Sequence, residues 1–225
     1  AVAPLDRLAS RVQHVTPHTC VIAIGAQRSV GQVVDVFESD TSQRIIRVKQ
    51  TIPLATSGPL TLLFPEWLPG KHAPRGEVEK LAGLVFTADG KTIPWDRGPL
   101  DVYAFHLSVP TGAKAIVATF QFLAPTAPNQ GRIILTDTLL NLQWQSVSLY
   151  PAGFYTRRIP IQASVKLPNG WTAATALKST QTGATVSYEA TDYDTLVDTP
   201  LFAGRHSRRV GLGLDVWLDI FAAHP

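Results

Sequence analysis

The side chains best equipped for bond-making chemistry cluster near the start of the chain, at His14, His18 and Cys20. His14 and His18 are four residues apart, the spacing that sets two imidazoles on one face of a helix. Zinc peptidases of the thermolysin type use that spacing with a glutamate between the histidines as general base. Here Pro17 interrupts the helical path and no glutamate lies nearby, so a loop or helix end competes with metal binding. Cys20 beside His18 has the partners for a thiolate–imidazole pair. A lone cysteine is nevertheless more often a small core hydrophobe than a nucleophile. No His-Glu dipeptide, no Gly-x-Ser-x-Gly elbow and no glycine-rich phosphate loop occurs anywhere in the sequence. We therefore assign no catalytic residue and no metal ligand.

Two further stretches carry unusual chemistry. Phe64-Pro65-Glu66-Trp67-Leu68-Pro69-Gly70-Lys71-His72 follows a β-like run directly. Its prolines and glycine fix a rigid, non-repeating turn from which Trp67 stands out. An aromatic on a pre-set loop loses little entropy when it docks, so Trp67 is a candidate contact; the alternative is that it folds back to cap the sheet. Lys71, His72 and Arg75 add donors suited to peptide carbonyls or a carboxylate. We take Trp67, Lys71, His72 and Arg75 as candidate substrate or domain contacts. The second stretch, 190–200, holds Asp192, Asp194 and Asp198. It lacks the glycine and closing glutamate of an EF-hand, so turn capping by Asp192 and Asp198 is the expected role.

The elements that would position these residues are strands. Apolar residues alternate with period two, and β-branched types dominate, over 33–37, 44–48, 60–64, 103–107, 116–122, 159–165, 184–188 and 215–219. Asp89-Gly90 signals a tight hairpin and Asn169-Gly170 another turn. The 17 prolines and 16 glycines cut every long apolar run short. Segments 6–15 and 137–143 are the best helix candidates. The fold class expected is all-β: a sandwich or large curved sheet with few short helices. A Pro-rich polar stretch at 125–131 is a candidate division between two sub-sheets.

Composition narrows the function. With 225 residues, 45% of them hydrophobic, the chain can bury a sizeable core. A net charge of +3, with basic residues scattered and at most paired, lacks the clustered basic face of a nucleic-acid binder. No apolar run approaches the roughly 20 residues of a membrane span. The chain contains no methionine and opens Ala1-Val2-Ala3-Pro4, a small-residue pattern like the cleavage end of a signal peptide. An arbitrary start point is the alternative. We expect export to the periplasm or beyond the cell.

Taken together, the segments resemble the N-terminal domain of the glycyl aminopeptidases, metallopeptidase family sixty-one. That family's Phe-Pro-x-Trp-x-Pro-Gly-x-Tyr signature is matched by Phe64, Pro65, Trp67, Pro69 and Gly70, with His72 at the tyrosine position. Gly90, Lys91 and Trp95 resemble a family hairpin. Leu167-Pro168-Asn169-Gly170-Trp171, with Ala173, Ala174, Thr175 and Leu177, resembles a strand end. The stretch Asp192 to Pro200 and Gly204 resembles the acidic family segment. The resemblance implies one N-terminal accessory domain over 1–225, saddle-like and akin to that of aminopeptidase N. It implies that the zinc and its ligands belong to a catalytic domain outside this chain, so the chain itself holds no cofactor. The partners implied are that C-terminal catalytic domain and the peptide substrate of a parent zinc metallo-aminopeptidase. The competing reading is a free-standing β-sandwich binding module, for instance a carbohydrate-binding domain using two or three of the five tryptophans on one face.

Overall fold

The computed structural model describes residues 31–225 except Pro69 and Ile133. The helix candidate 6–15, together with His14, His18 and Cys20, lies outside the described residues. Eighteen strands follow in order. The first nine are β1 (Gln32–Asp40), β2 (Ile45–Pro53), β3 (Gly58–Leu63), β4 (Leu81–Ala88), β5 (Lys91–Ile93), β6 (Trp95–Arg97), β7 (Ala104–Val109), β8 (Ala115–Leu123) and β9 (Leu139–Leu142). The rest are β10 (Tyr150–Pro151), β11 (Pro160–Lys166), β12 (Thr172–Ala174), β13 (Ser179–Thr182), β14 (Thr185–Tyr188), β15 (Thr191–Asp192), β16 (Leu201–Gly204), β17 (His206–Gly213) and β18 (Val216–Ala222). One α-helix, α1 (Tyr193–Val197), sits between β15 and β16 among the described residues. The all-β expectation holds.

The strands form four sheets. The largest runs β13-β14-β11-β1-β2-β8-β4-β5, with β15 also on β11. Its one parallel pair, β1 with β11, joins the two halves of the chain across the 125–131 connection. A four-stranded sheet runs β10-β3-β7-β6, a three-stranded one β12-β16-β9, and β17 with β18 makes a separate hairpin. Strict alternation drives this: β2 and β8 bury every second side chain, so one face of each feeds the core. Trp95 of β6 ties the first two sheets together, edge-on to Phe86 of β4 at 6.2 Å and to Phe105 of β7 at 5.4 Å.

A buried polar clamp holds the segment between the Trp144–Ser146 turn and β10. Gln50 Nε2 on β2 donates to the Leu149 carbonyl at 2.7 Å, and Leu149 N–H donates back to Gln50 Oε1 at 2.8 Å. Gln50 Nε2 also donates to Gln32 Oε1 at 2.7 Å. Buried amides are stable only when so paired. Next to this clamp, the Ser148 and Tyr193 hydroxyls lie 2.9 Å apart, and Ser148 also donates to the Trp144 carbonyl. Burial pushes the Tyr193 phenol far above the ordinary tyrosine range, more than its bond to Ser148 lowers it, so it stays neutral.

The turn signals are realised. Asp89 and Gly90 both take positive φ, 47° and 76°, and close β4 onto β5 as a two-residue hairpin. The helix expected at 137–143 is a correction: residues 139–142 are strand β9. Its side chains alternate inward and outward and its backbone pairs with β16 from Leu139↔Gly204 to Leu142↔Leu201. A neighbouring edge satisfied its backbone better than a single helical turn could.

Candidate functional site

The loop after β3 is built from its prolines and glycines upward. Phe64 and Pro65 are buried at its base, where Phe64 N–H donates to the Tyr103 carbonyl. The chain then runs out and returns: Arg75 N–H and Gly76 N–H both donate to the Glu66 carbonyl, and Trp67 bridges Pro74. At the tip, Lys71 N–H donates to the Leu68 carbonyl with Gly70 at φ 70°, a left-handed value that glycine adopts without strain. Where the loop closes, only glycine fits. A Cβ on Gly76 would stand 2.0 Å from the Pro65 carbonyl oxygen. The Tyr103 hydroxyl donates to the Gly76 carbonyl, locking the return.

This frame leaves Trp67 63% exposed, so it does not cap the sheet. Lys71, His72 and Arg75 are exposed too. Lys71, His72 and Arg75 line one cavity of about 650 Å³, and Trp67 lines another of about 520 Å³. Gly70 and Gln145 belong to both walls.

The two cavities differ in charge. The first adds Arg132, while its one carboxylate, Glu77, is held by Lys80. The second contains Tyr150, Asp194 and Asp198. Asp194 accepts from Arg157 Nε at 2.8 Å and from the Thr156 hydroxyl at 3.2 Å. Burial first, and then the nearby Asp101 and Glu66 charges, raise the Tyr150 phenol, which therefore stays a neutral donor at physiological pH. Asp192 caps α1 as expected, accepting from Thr195 N–H at 2.9 Å and from its hydroxyl at 2.7 Å. Asp198 departs from expectation. Its backbone N–H closes the helix onto the Asp194 and Leu196 carbonyls, and its carboxylate makes no hydrogen bond among the described residues. Asp198 lines the second cavity instead.

Arg132, Gln145 and the three-residue turn Trp144–Ser146 that presents Gln145 were not apparent from sequence. The available signal is a set of polar residues, 143, 145, 146 and 148, inside an otherwise apolar run. Gln145 Nε2 donates to Gln143 Oε1 at 3.3 Å, and Gln143 Nε2 donates to Asn141 Oδ1 at 2.6 Å.

Chemically, these walls present cationic side chains in the first cavity and carboxylates in the second. Among the described residues, no three His, Cys, Asp or Glu side chains gather to hold a metal ion. The His106 imidazole meets the Thr61 hydroxyl at 2.9 Å, but that pair lines neither cavity. Of the five tryptophans, Trp144 and Trp171 are buried and Trp95 is packed between phenylalanines. Trp67 and Trp217 remain exposed.

Residues 34–205 match the sequence profile of the Peptidase M61 N-terminal domain. The chain belongs to this family. The family match covers the loop, both cavities and the strands from β1, entered at Val34, through β16, and it ends before the β17–β18 hairpin. Among solved structures, an aminopeptidase N family protein of Idiomarina loihiensis superposes with a TM-score of 0.68 at 18% identity. That match covers 84% of this chain and 32% of the other, so the chain spans about a third of that protein and shares its fold. Leukotriene A4 hydrolase of Saccharomyces cerevisiae gives 0.48 at 12% identity over 85% of this chain and 31% of that one. An M1 zinc metallopeptidase of Deinococcus radiodurans, solved with a Tyr-Ser-Ala substrate, gives 0.44 at 8% identity over 85% and 46%. No curated protein sequence matches the chain. Within this M61 N-terminal domain, no helix among the described residues is long and apolar enough to cross a membrane.

Proposed function

We propose that this M61 N-terminal domain is the non-catalytic part of an exported zinc aminopeptidase, docked on the catalytic domain and shaping one side of its substrate cleft. The observation that carries the reading is the β17–β18 hairpin. Its register puts Val210 opposite Leu218 and Arg208 opposite Ile220 on one face, with Val216 in line. Beside Arg208 that face carries an aliphatic stripe, of which Val216, Leu218 and Ile220 are all exposed. The opposite face is internally satisfied: Arg209 binds Asp219 in two contacts of 2.6 and 3.0 Å and lies over the Trp217 ring. A two-stranded hairpin is marginal by itself, and a contiguous exposed apolar face marks a contact surface. A catalytic domain in the same polypeptide is the occupant that the family supplies.

In this arrangement the chain binds and orients, and the zinc-dependent bond cleavage belongs to the catalytic domain. Trp67 and the donor groups of Lys71, His72 and Arg75 face the peptide or the domain contact, on a loop whose shape is set before either arrives.

The test is to prepare the catalytic part of the parent polypeptide separately and titrate it with this chain in an ultracentrifuge. The expected result is a one-to-one complex, abolished by Leu218→Asp with Ile220→Asp while the domain's circular dichroism is unchanged. A wild-type chain that forms no complex contradicts the reading.

A further inference from the structure

We propose that the cavity of about 650 Å³ beside the loop is a carboxylate site, taking the C-terminus of a short peptide. The proposal rests on the substrate-facing role given above to the loop, and it names the substrate feature recognised. Lys71 and Arg75 come from the loop and Arg132 from the segment after Gly131. None of these three side chains has a hydrogen-bond or ion-pair partner among the described residues. The wall's own carboxylate, Glu77, is neutralised by Lys80. Three uncompensated cations around one concavity focus a positive potential into it, and guanidinium groups match a carboxylate in shape as well as charge.

The last residue of a peptide supplies such a carboxylate, for Lys71, Arg75 and Arg132 together. Gln145, presented by the Trp144–Ser146 turn, lines the same cavity and reports on its occupancy. The substrate class is a short peptide with a free C-terminus.

The experiment titrates this chain with three probes, Ala-Ala-Ala, Ala-Ala-Ala-amide and Ala-Glu-Ala-amide. The side-chain amide resonances of Gln145 and the Nε–H resonances of Arg75 and Arg132 are followed by NMR. Ala-Ala-Ala should shift all three sets. Its C-terminal amide should bind at least about ten-fold more weakly, and added salt should weaken the acid form selectively. Arg132→Ala, at an exposed position, should reduce Ala-Ala-Ala binding about ten-fold with an unchanged thermal melt. Equal binding of acid and amide, or no shift at Gln145 and the arginines, overturns the proposal. Binding of Ala-Glu-Ala-amide as tight as that of Ala-Ala-Ala overturns the assignment to a C-terminus in favour of an acidic side chain. The docking reading fails separately: hairpin variants that lose the catalytic domain leave this titration as it was.

Discussion

Trp67 and Trp144 show how the same residue type divides between surface and core. Trp67 stands on the loop, open to solvent, whereas Trp144 is fully buried and meets Tyr188 edge-on at 5.3 Å. Trp67→Ala should therefore leave the unfolding free energy measured in urea within about 0.5 kcal/mol of its original value, as for surface substitutions. Trp144→Ala should cost about 3–5 kcal/mol as a core truncation. Asp192 gives a pH-dependent counterpart. Burial raises its carboxyl, but the hydrogen bonds from Thr195 N–H and hydroxyl outweigh burial and hold it below the usual aspartate value. A depressed carboxylate contributes stability above its unfolded pKa, and that contribution is lost as pH falls from there through the folded value. Asp192→Ala should thus cost about 1 kcal/mol at pH 7, and the deficit should vanish in acid, measured by denaturation across pH. At this scale the sequence was partly legible. Pro65, Gly70 and Trp67 announce a rigid presenting loop by residue type alone. Gln145 and Arg132 do not announce themselves, because their role depends on a cavity formed by segments about 60 residues apart along the chain.

Among the elements, the hairpin β17–β18 carries an unusual turn. Leu214 and Asp215 both take positive φ, 49° and 58°, and Leu214 is 98% exposed. A left-handed conformation costs a non-glycine residue roughly 1–2 kcal/mol. Asn-Gly is the pair that such a two-residue turn favours. Leu214→Asn with Asp215→Gly should therefore slow hydrogen exchange of the hairpin amides about five-fold or more, while leaving β1 and β2 amides unaffected. Strands were the most legible elements: alternation and β-branching marked the cores of β1, β2, β8 and β11. Segment 139–142 was misread because Leu139, Leu140 and Leu142 also suit a short amphipathic helix. The decision fell to β16, a partner nearly 60 residues later. The parallel pairing of β1 with β11, across more than 120 residues, likewise leaves no local trace in either strand.

For the whole molecule, family membership and fold agree on an M61 N-terminal domain that spans about a third of an aminopeptidase N family protein. Its described residues present Trp67, Lys71, His72 and Arg75 on one loop, two cavities of different charge and an aliphatic stripe on the hairpin. The central claim is that a catalytic domain covers that hairpin. Hydrogen exchange of the β17–β18 amides, compared between this chain alone and the same chain within its parent polypeptide, tests it most directly. Docking predicts at least ten-fold slower exchange along Val216–Ala222 in the parent, with β2 and β8 unchanged. Equal exchange rates in the two settings would contradict the claim.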